Sequence, residues 1–273
     1  IVQMLPPPVS KESTAELMQQ ADLVVVTGSQ SNVRAAYASG TPAIGVGVGN
    51  VAVIVDDTAE LAQAAMKIAA SKTFDYATSC SSENSLVILD AVYAAMLEAL
   101  KQQGGALLSG AEKSQLQETL WPDGKLNPQV TARAASAICQ VAGLKHENLQ
   151  KCRFLMVEET GIGRDFPFSG EKLAPVLTLY RARDFDHACA LSRTILDFHG
   201  AGHSIGIHTL NNAHVLRLGL EMPVCRVIVN QGHAFATGGN FDNGLPFSLS
   251  MGCGTWGRNN ISDNLNYRHY LNI

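Results

Sequence analysis

Lys72-Thr73-Phe74-Asp75-Tyr76-Ala77-Thr78-Ser79-Cys80-Ser81-Ser82-Glu83-Asn84-Ser85 stands between a helical pattern on its left and a β-branched, apolar run on its right. A lone cysteine sits in it among small hydroxyl residues. Small neighbours leave the sulfur reachable and surround it with backbone N–H groups, which can lower a thiol's pKa and later hold an oxyanion. A buried structural cysteine is the plain alternative for a single Cys. Helix and apolar strand alternate on both sides of this turn, which is the pattern of an α/β fold.

Upstream, Ser13-Thr14-Ala15-Glu16 reads as a capping box for a short helix through Leu17 and Met18. Leu23–Val26 is all apolar, as in a strand buried on both faces of a parallel sheet. Thr27-Gly28-Ser29-Gln30-Ser31-Asn32 turns into a helix over Val33–Ser39, which Gly40 and Pro42 stop. Ala43–Val46 and Val51–Val55 are predicted strands, and Thr58 is the expected cap of a helix carrying Leu61, Ala65 and Ile68 on one face. This is half of a doubly wound nucleotide-binding domain, with a weak boundary near Ser71. Because the first residue is Ile1 rather than Met, the numbering is expected to begin inside a longer polypeptide.

Downstream, strands are predicted at Ser85–Asp90, Phe154–Val157, Val176–Tyr180, Ser204–Thr209 and Val224–Asn230. Helices are predicted at Ala91–Gln103, Ala111–Leu120, Val130–Ala142, from an Asp184 cap, and at Asn211–Leu220. From Gly232 onward glycine and asparagine dominate, with Phe241, Phe247 and Trp256 needing somewhere to pack.

The 273 residues are 46% hydrophobic and only 16% charged, a balance that favours an oligomer hiding part of its surface. A net charge of −4 without any Lys/Arg run argues against nucleic acid and membrane surfaces as partners. No apolar run reaches transmembrane length. Six scattered cysteines without a C-x-x-C pair resemble neither a metal site nor a disulfide framework. Free thiols in a reducing cytoplasm are the simplest account.

Four further stretches could carry chemistry. Gly28-Ser29 at a helix N-terminus could receive a phosphate, or be a plain strand–helix turn. The alternate glycines of Gly45-Val46-Gly47-Val48-Gly49-Asn50 could admit something flat or bulky, or a tight sheet crossing. Glu171, on a glycine-flanked turn before Val176–Tyr180, could bind a sugar diol or form a solvated pair with Lys172. His203, between small residues at the start of a strand, could be an acid, a base or a satisfied imidazole.

Taken in order, Thr27-Gly28-Ser29, Gly45–Asn50, Ser71–Asp75 into Cys80-Ser81-Ser82-Glu83, Glu171-Lys172-Leu173-Ala174-Pro175, Gly202-His203-Ser204 and Gly252-Cys253-Gly254-Thr255-Trp256-Gly257 resemble the CoA-acylating aldehyde dehydrogenases. The resemblance covers essentially the whole chain, which looks like the C-terminal three-fifths of the family's length. It implies the end of a Rossmann-type NAD(P)-binding domain over residues 1–71 and an α/β catalytic domain over 72–250. It also implies a C-terminal tail over 251–273, with an oligomerisation strand at 264–272.

The resemblance further implies that Cys80 is the nucleophile and His203 an acid, a base or a partner of the CoA thiol. The backbone N–H groups of Cys80 and Ser81 become candidate oxyanion donors. Glu171 would hold the nicotinamide ribose of NAD or NADP, with Gly28 and Ser29 under the pyrophosphate. Hydrolytic relatives carry a water-activating glutamate where Gly45–Asn50 has none, so the thioester should wait for coenzyme A as co-substrate. Asn230–Ser250 looks most like the acylating sulfoacetaldehyde dehydrogenases, and next like the succinate-semialdehyde type. Gln231, His233 and Asn240 would then offer hydrogen bonds to an anionic aldehyde, His233 adding charge if protonated. A homodimer or homotetramer is expected, with an acylating succinate-semialdehyde or propionaldehyde dehydrogenase, a hydrolytic enzyme or a truncated non-catalytic assembly subunit as the alternatives.

Overall fold

The computed structural model describes residues 2–271; Ile1, Asn272 and Ile273 lie outside them. In chain order the elements are α1 (Lys11–Gln20), β1 (Val24–Thr27), α2 (Gln30–Tyr37), β2 (Ala43–Val46), β3 (Val51–Val55) and α3 (Leu61–Thr73). Then come β4 (Glu83–Leu89), α4 (Asp90–Gln102), β5 (Gly105–Leu107), α5 (Gly110–Leu120), α6 (Ala135–Val141), α7 (Glu147–Lys151) and β6 (Phe154–Glu158). The chain continues through β7 (Val176–Ala182), α8 (Phe185–Phe198), β8 (Ile205–His208), α9 (Asn212–Glu221), β9 (Val227–Val229) and α10 (His233–Ala236).

Seven strands form one parallel sheet in the order β5-β6-β7-β4-β3-β8-β9, and β1 pairs with β2 in a second, two-stranded sheet. Side chains alternate across each strand. Val51, Val53 and Val55 of β3 therefore pack beneath α3 and α4, against Ile68, Met96 and Leu100. Ala52 and Ile54 face the other way, onto Phe185, Ile195 and Leu196 of α8 and Leu218 of α9. With helices on both faces, β3 and β4 are buried along their whole length. That is why they read as unbroken apolar runs. Among the described residues no helix is long and apolar enough to cross a membrane.

Several expectations change. The sheets part between Val46 and Val51, so β3 and α3, expected with the cofactor portion ending at residue 71, belong to the larger sheet. β1 is buried on one face only, with Val25 exposed. The cap of α1 is Ser10, which forms a reciprocal pair with Ser13 three residues before the expected box. The helix expected at Val130–Ala142 shortens to Ala135–Val141. Of the strand expected at 264–272, the described part holds a single bridge between Asn264 and Met251 and then a 3₁₀ turn at Tyr267–Tyr270; Asn272 lies outside the described residues.

Thr58 does not cap α3. Its N–H and hydroxyl donate instead to Asp56 Oδ1, at 2.8 and 2.7 Å. Thr209 Oγ1 donates to the other carboxylate oxygen, and His214 Nδ1 lies 2.8 Å from it. This clamp joins the chain after β3 to the chain after β8. Burial alone would raise the Asp56 pKa, but the hydrogen bonds from Thr209, His214 and Thr58 outweigh it and hold the carboxyl below its ordinary value. Stability from Asp56 is thus present above the unfolded pKa of about 4 and is lost as pH falls through the lower, folded value. Asp56→Asn is expected to cost about 3 kcal/mol at pH 7. The gap to wild type should close as the pH falls below about 4. Denaturant titrations at pH 7 and pH 3 check this, and a gap that stays constant would contradict it.

Candidate active site

A parallel sheet usually presents its ligand crevice at the carboxyl ends of its strands. Here the reactive side chains gather at the opposite ends. Cys80 precedes β4, Glu171 precedes β7, His203 precedes β8 and Arg226 precedes β9. Strands β7, β4, β3, β8 and β9 are successive neighbours, which brings together residues that are far apart in sequence.

The Cys80 turn has its own internal logic. After α3, Asp75, Tyr76 and Ala77 all take left-handed backbone angles, φ 46°, 51° and 60°, which reverse the chain within three residues. Asp75 holds this turn by accepting the Thr78 hydroxyl on its carbonyl and carboxylate oxygens, at 2.9 and 2.7 Å. Ser82 N–H then donates to the Ser79 carbonyl at 2.9 Å. Gly49 lies directly against this turn: a Cβ there would fall 2.0 Å from the Cys80 carbonyl oxygen. The flat partner expected near the alternate glycines is the protein itself, since a Cβ on Gly45 would strike the Tyr37 ring.

Cys80, Ser81, Glu171, Gly28 and Ser29 line one cavity of about 730 Å³. A neighbouring cleft of about 890 Å³ shares Ser29, Val48 and Glu171 with it and extends to Arg34, Arg164 and Arg258. Gly28, at φ 146°, makes the turn into α2, and Ser29 caps that helix by accepting Asn32 N–H at 3.3 Å. Glycine suits such an angle because it has no Cβ.

The electrostatics differ from the sequence reading. Burial, and then the Glu171 charge, push the Cys80 thiol up to about 11, and the Ser81 hydroxyl, the Cys80 N–H and Arg226 only partly offset this. The N–H-rich setting therefore does not by itself produce an acidic thiol. Glu171 is itself pushed up to about 7 by burial, against the pull of Lys172 and Lys72. Lys172 is no solvated partner for it: its ammonium is buried and donates to the Phe168 and Gly170 carbonyls, at 2.7 and 2.9 Å.

Both histidines lie outside the two cavities, unlike the positions at the reacting centre and the aldehyde wall that the sequence suggested. His203 is fully buried and lines neither cavity. Its Nδ1 lies 2.6 Å from Ser204 Oγ, and its Nε2 has no partner. Burial, with Arg226 nearby, holds its pKa at about 3, so the ring is neutral. His233 is likewise buried, with Nδ1 3.3 Å from Thr237 Oγ1 and a pKa lowered by burial to about 3. It brings no positive charge to a substrate. Gln231 donates to the Asp242 carbonyl at 3.2 Å, and Asn240 Oδ1 accepts Phe241 N–H at 2.7 Å. These two brace their own loop and do not line the cavity.

Two buried features escaped the sequence. Lys72 and Glu83 are both fully buried behind the Cys80 turn. The Arg226 guanidinium, also buried, donates to the carbonyls of Gly252 (2.8 Å), His203 (3.2 Å) and Ser262 (3.2 Å) and to Asn264 Oδ1 (2.8 Å). It thereby ties the glycine-rich C-terminal segment to the chain entering β8 and β9. An arginine directly before an apolar run was the available signal. The rim arginines had none, because an exposed arginine looks the same whether or not it faces a cleft. Among the described residues, no group of three or more His, Cys, Asp or Glu side chains could hold a metal ion.

No family model matches the chain. The chain is 63% identical to a sulfoacetaldehyde dehydrogenase (acylating) of Cupriavidus necator, over 100% of its own length and 55% of that protein. It is 35% identical to a succinate-semialdehyde dehydrogenase (acetylating) of Clostridium kluyveri, over 100% of its own length and 60% of that protein. Its structure matches the crystal structure of an acetylating aldehyde dehydrogenase from Geobacillus thermoglucosidasius with a TM-score of 0.92, at 35% identity, over 95% of this chain and 57% of the other. The chain thus spans little more than half the length of the curated relatives it matches.

Proposed function

The chain matches the CoA-acylating aldehyde dehydrogenase family from end to end of its own sequence, and from that premise we propose that the protein converts an aldehyde, NAD(P)+ and coenzyme A to an acyl-CoA and NAD(P)H. The observation that carries this reading is that Cys80, Glu171 and the Gly28–Ser29 turn line one cavity.

The residues fit a nicotinamide dinucleotide. The Gly28 turn at the head of α2 presents N–H groups suited to a pyrophosphate, and the half-buried Glu171 carboxylate, facing both cavities, suits a ribose diol. When bound, the nicotinamide supplies a hydride acceptor for the aldehyde carbon. Cys80 supplies the nucleophile: its thiolate adds to the aldehyde, and loss of hydride leaves a thioester on the sulfur. The CoA thiolate then attacks that thioester and expels the Cys80 thiolate, which ends ready for another turnover. Gly47, Val48 and Gly49 border Cys80 without a carboxylate, so this wall offers no base to activate water. The rim arginines Arg34, Arg164 and Arg258 suit the phosphates of either nucleotide.

For the aldehyde, the similarity to the Cupriavidus necator relative favours sulfoacetaldehyde. The Ser79 hydroxyl, which accepts Ser81 N–H, keeps its own proton for a sulfonate oxygen. A second reading has its own support: Asp75 and Glu171 line the cavity and no Lys, Arg or His does, which suits a short uncharged aldehyde. A self-associated state is part of the proposal, since Leu216 and Leu220 are exposed on α9 beside the edge strand β9. Six free cysteines suit a reducing cytoplasm.

The test is turnover of the full-length protein with sulfoacetaldehyde, succinate semialdehyde and propanal, with and without CoA. Nucleotide reduction should depend on CoA and yield a CoA thioester. A free carboxylic acid formed at the same rate without CoA would refute the acylating reading. A higher kcat/KM for propanal than for sulfoacetaldehyde would select the second substrate.

A further inference from the structure

The sequence offers two N–H groups for negative charge at the reacting centre, those of Cys80 and Ser81. The structure removes one of them, because Ser81 N–H donates to Ser79 Oγ at 3.2 Å. The Ser81 side chain remains. Ser81 lines the same cavity as Cys80 and is only 1% exposed, and its Oγ is buried without a hydrogen-bond partner. Leaving a buried hydroxyl unpaired is unfavourable, a cost that alanine would avoid.

We propose that the Ser81 hydroxyl is the side-chain donor to the Cys80 sulfur, made to pair with the thiolate rather than with the resting thiol. The proposal rests on Cys80 being the nucleophile and deepens that reading. In the thiol state the hydroxyl is idle. When the proton leaves Cys80, the sulfur becomes an anion beside a donor that needs no reorganisation. The same bond re-forms each time the CoA thiolate expels Cys80 from the thioester. Hydrogen bonds of this kind are commonly slack in the resting site and tighten as charge develops.

The electrostatic surroundings agree. Burial and Glu171 work against the thiolate, and the Ser81 hydroxyl is the strongest of the groups that favour it, ahead of the Cys80 N–H and Arg226. Asp75 also faces the sulfur's cavity, Cys253 is near enough to feel the thiolate's charge, and Lys72 and Lys172 temper Glu171. None of these groups is altered by removing one hydroxyl.

Ser82 provides the control. It is equally buried, its Oγ is also unpaired, and it does not line the cavity. The measurement is the rate of Cys80 carboxamidomethylation by iodoacetamide in the full-length protein, followed by peptide mass spectrometry from pH 7 to 11. Ser81→Ala should slow labelling about tenfold at each pH below about 10, where labelling of both forms still rises with pH. Ser81→Thr should follow wild type, and so should Ser82→Ala. Should Ser81→Ala misfold, Ser81→Gly removes the same hydroxyl. A Ser81→Ala profile superimposed on wild type, or an equal shift from Ser82→Ala, would overturn the proposal. A wild-type Cys80 that labels no faster than buried Cys189 would overturn the nucleophile reading, and this proposal with it.

Discussion

Cys80→Ser is expected to lower acyl-CoA formation by the intact protein at least about 10⁴-fold, with little change in thermal stability. The substitution keeps size and shape but replaces the sulfur with an oxygen of far higher pKa, a poor nucleophile and a poor leaving group. Both halves of the proposed cycle therefore fail together. With the wild-type thiol pushed up to about 11, the thiolate fraction at pH 7 is roughly one in ten thousand. Iodoacetamide labelling of Cys80 should then quicken about tenfold per pH unit up to roughly pH 10. Selectivity over Cys139 and Cys189 rests on access, since both of those are buried while Cys80 is half-buried in an open cavity. Retention of more than a few per cent of turnover by Cys80→Ser would rule out Cys80 as the nucleophile.

The largest stability effect should come from Glu83→Ala, expected at about 3–5 kcal/mol, or roughly 10 °C in Tm. Glu83 opens β4 and is fully buried. One carboxylate oxygen accepts the Ser71 hydroxyl of α3 at 2.6 Å, and the other accepts His233 N–H of α10 at 2.9 Å. Ser71 Oγ in turn accepts Ala234 N–H at 2.8 Å, so one carboxylate secures α3, β4 and α10 together. Burial raises the Glu83 pKa and lowers that of Lys72, while each favours the other's charge. Removing Glu83 leaves Lys72 Nζ, already without a hydrogen-bond partner, with only the weaker of its two counter-charges, Glu171. Because Ala234 lines the Cys80 cavity, activity should fall with stability. A loss below about 1 kcal/mol in urea titration would show that the buried carboxylate is dispensable.

The order of elements was legible because its signals are local. Ala43–Val46 and Val51–Val55 emerge with the residue limits read from the sequence, the first bounded by Pro42 and Gly47 and the second by Asn50 and Asp56. Asp184 caps α8 by accepting His187 N–H at 2.8 Å, again as its sequence position suggests. Errors concentrate where a local signal had a competitor from elsewhere. Thr58 has the right type and place for a cap, but Asp56 takes both of its donors. β1 reads as doubly buried, yet the structure covers only one of its faces.

For the site, residue chemistry left each candidate open, and the resemblance to the acylating dehydrogenases singled out Cys80, Ser81, Glu171, Gly28 and Ser29, which the fold places around one cavity. His203, His233, Gln231 and Asn240 carry equally suitable chemistry, and only the tertiary structure separates them from that cavity. The sequence by itself determined most of the longer strands and helices and marked a thiol set among small residues, since periodicity, caps and small neighbours act within a few residues; β5, α7 and α10 carried no such signal. The tertiary structure alone decided that the strands behind these turns lie side by side, that both histidines are neutral, and that Lys72 and Glu83 share a buried interior. Charge state and access depend on what the rest of the chain brings alongside a residue, and that is set by the order in which the strands assemble.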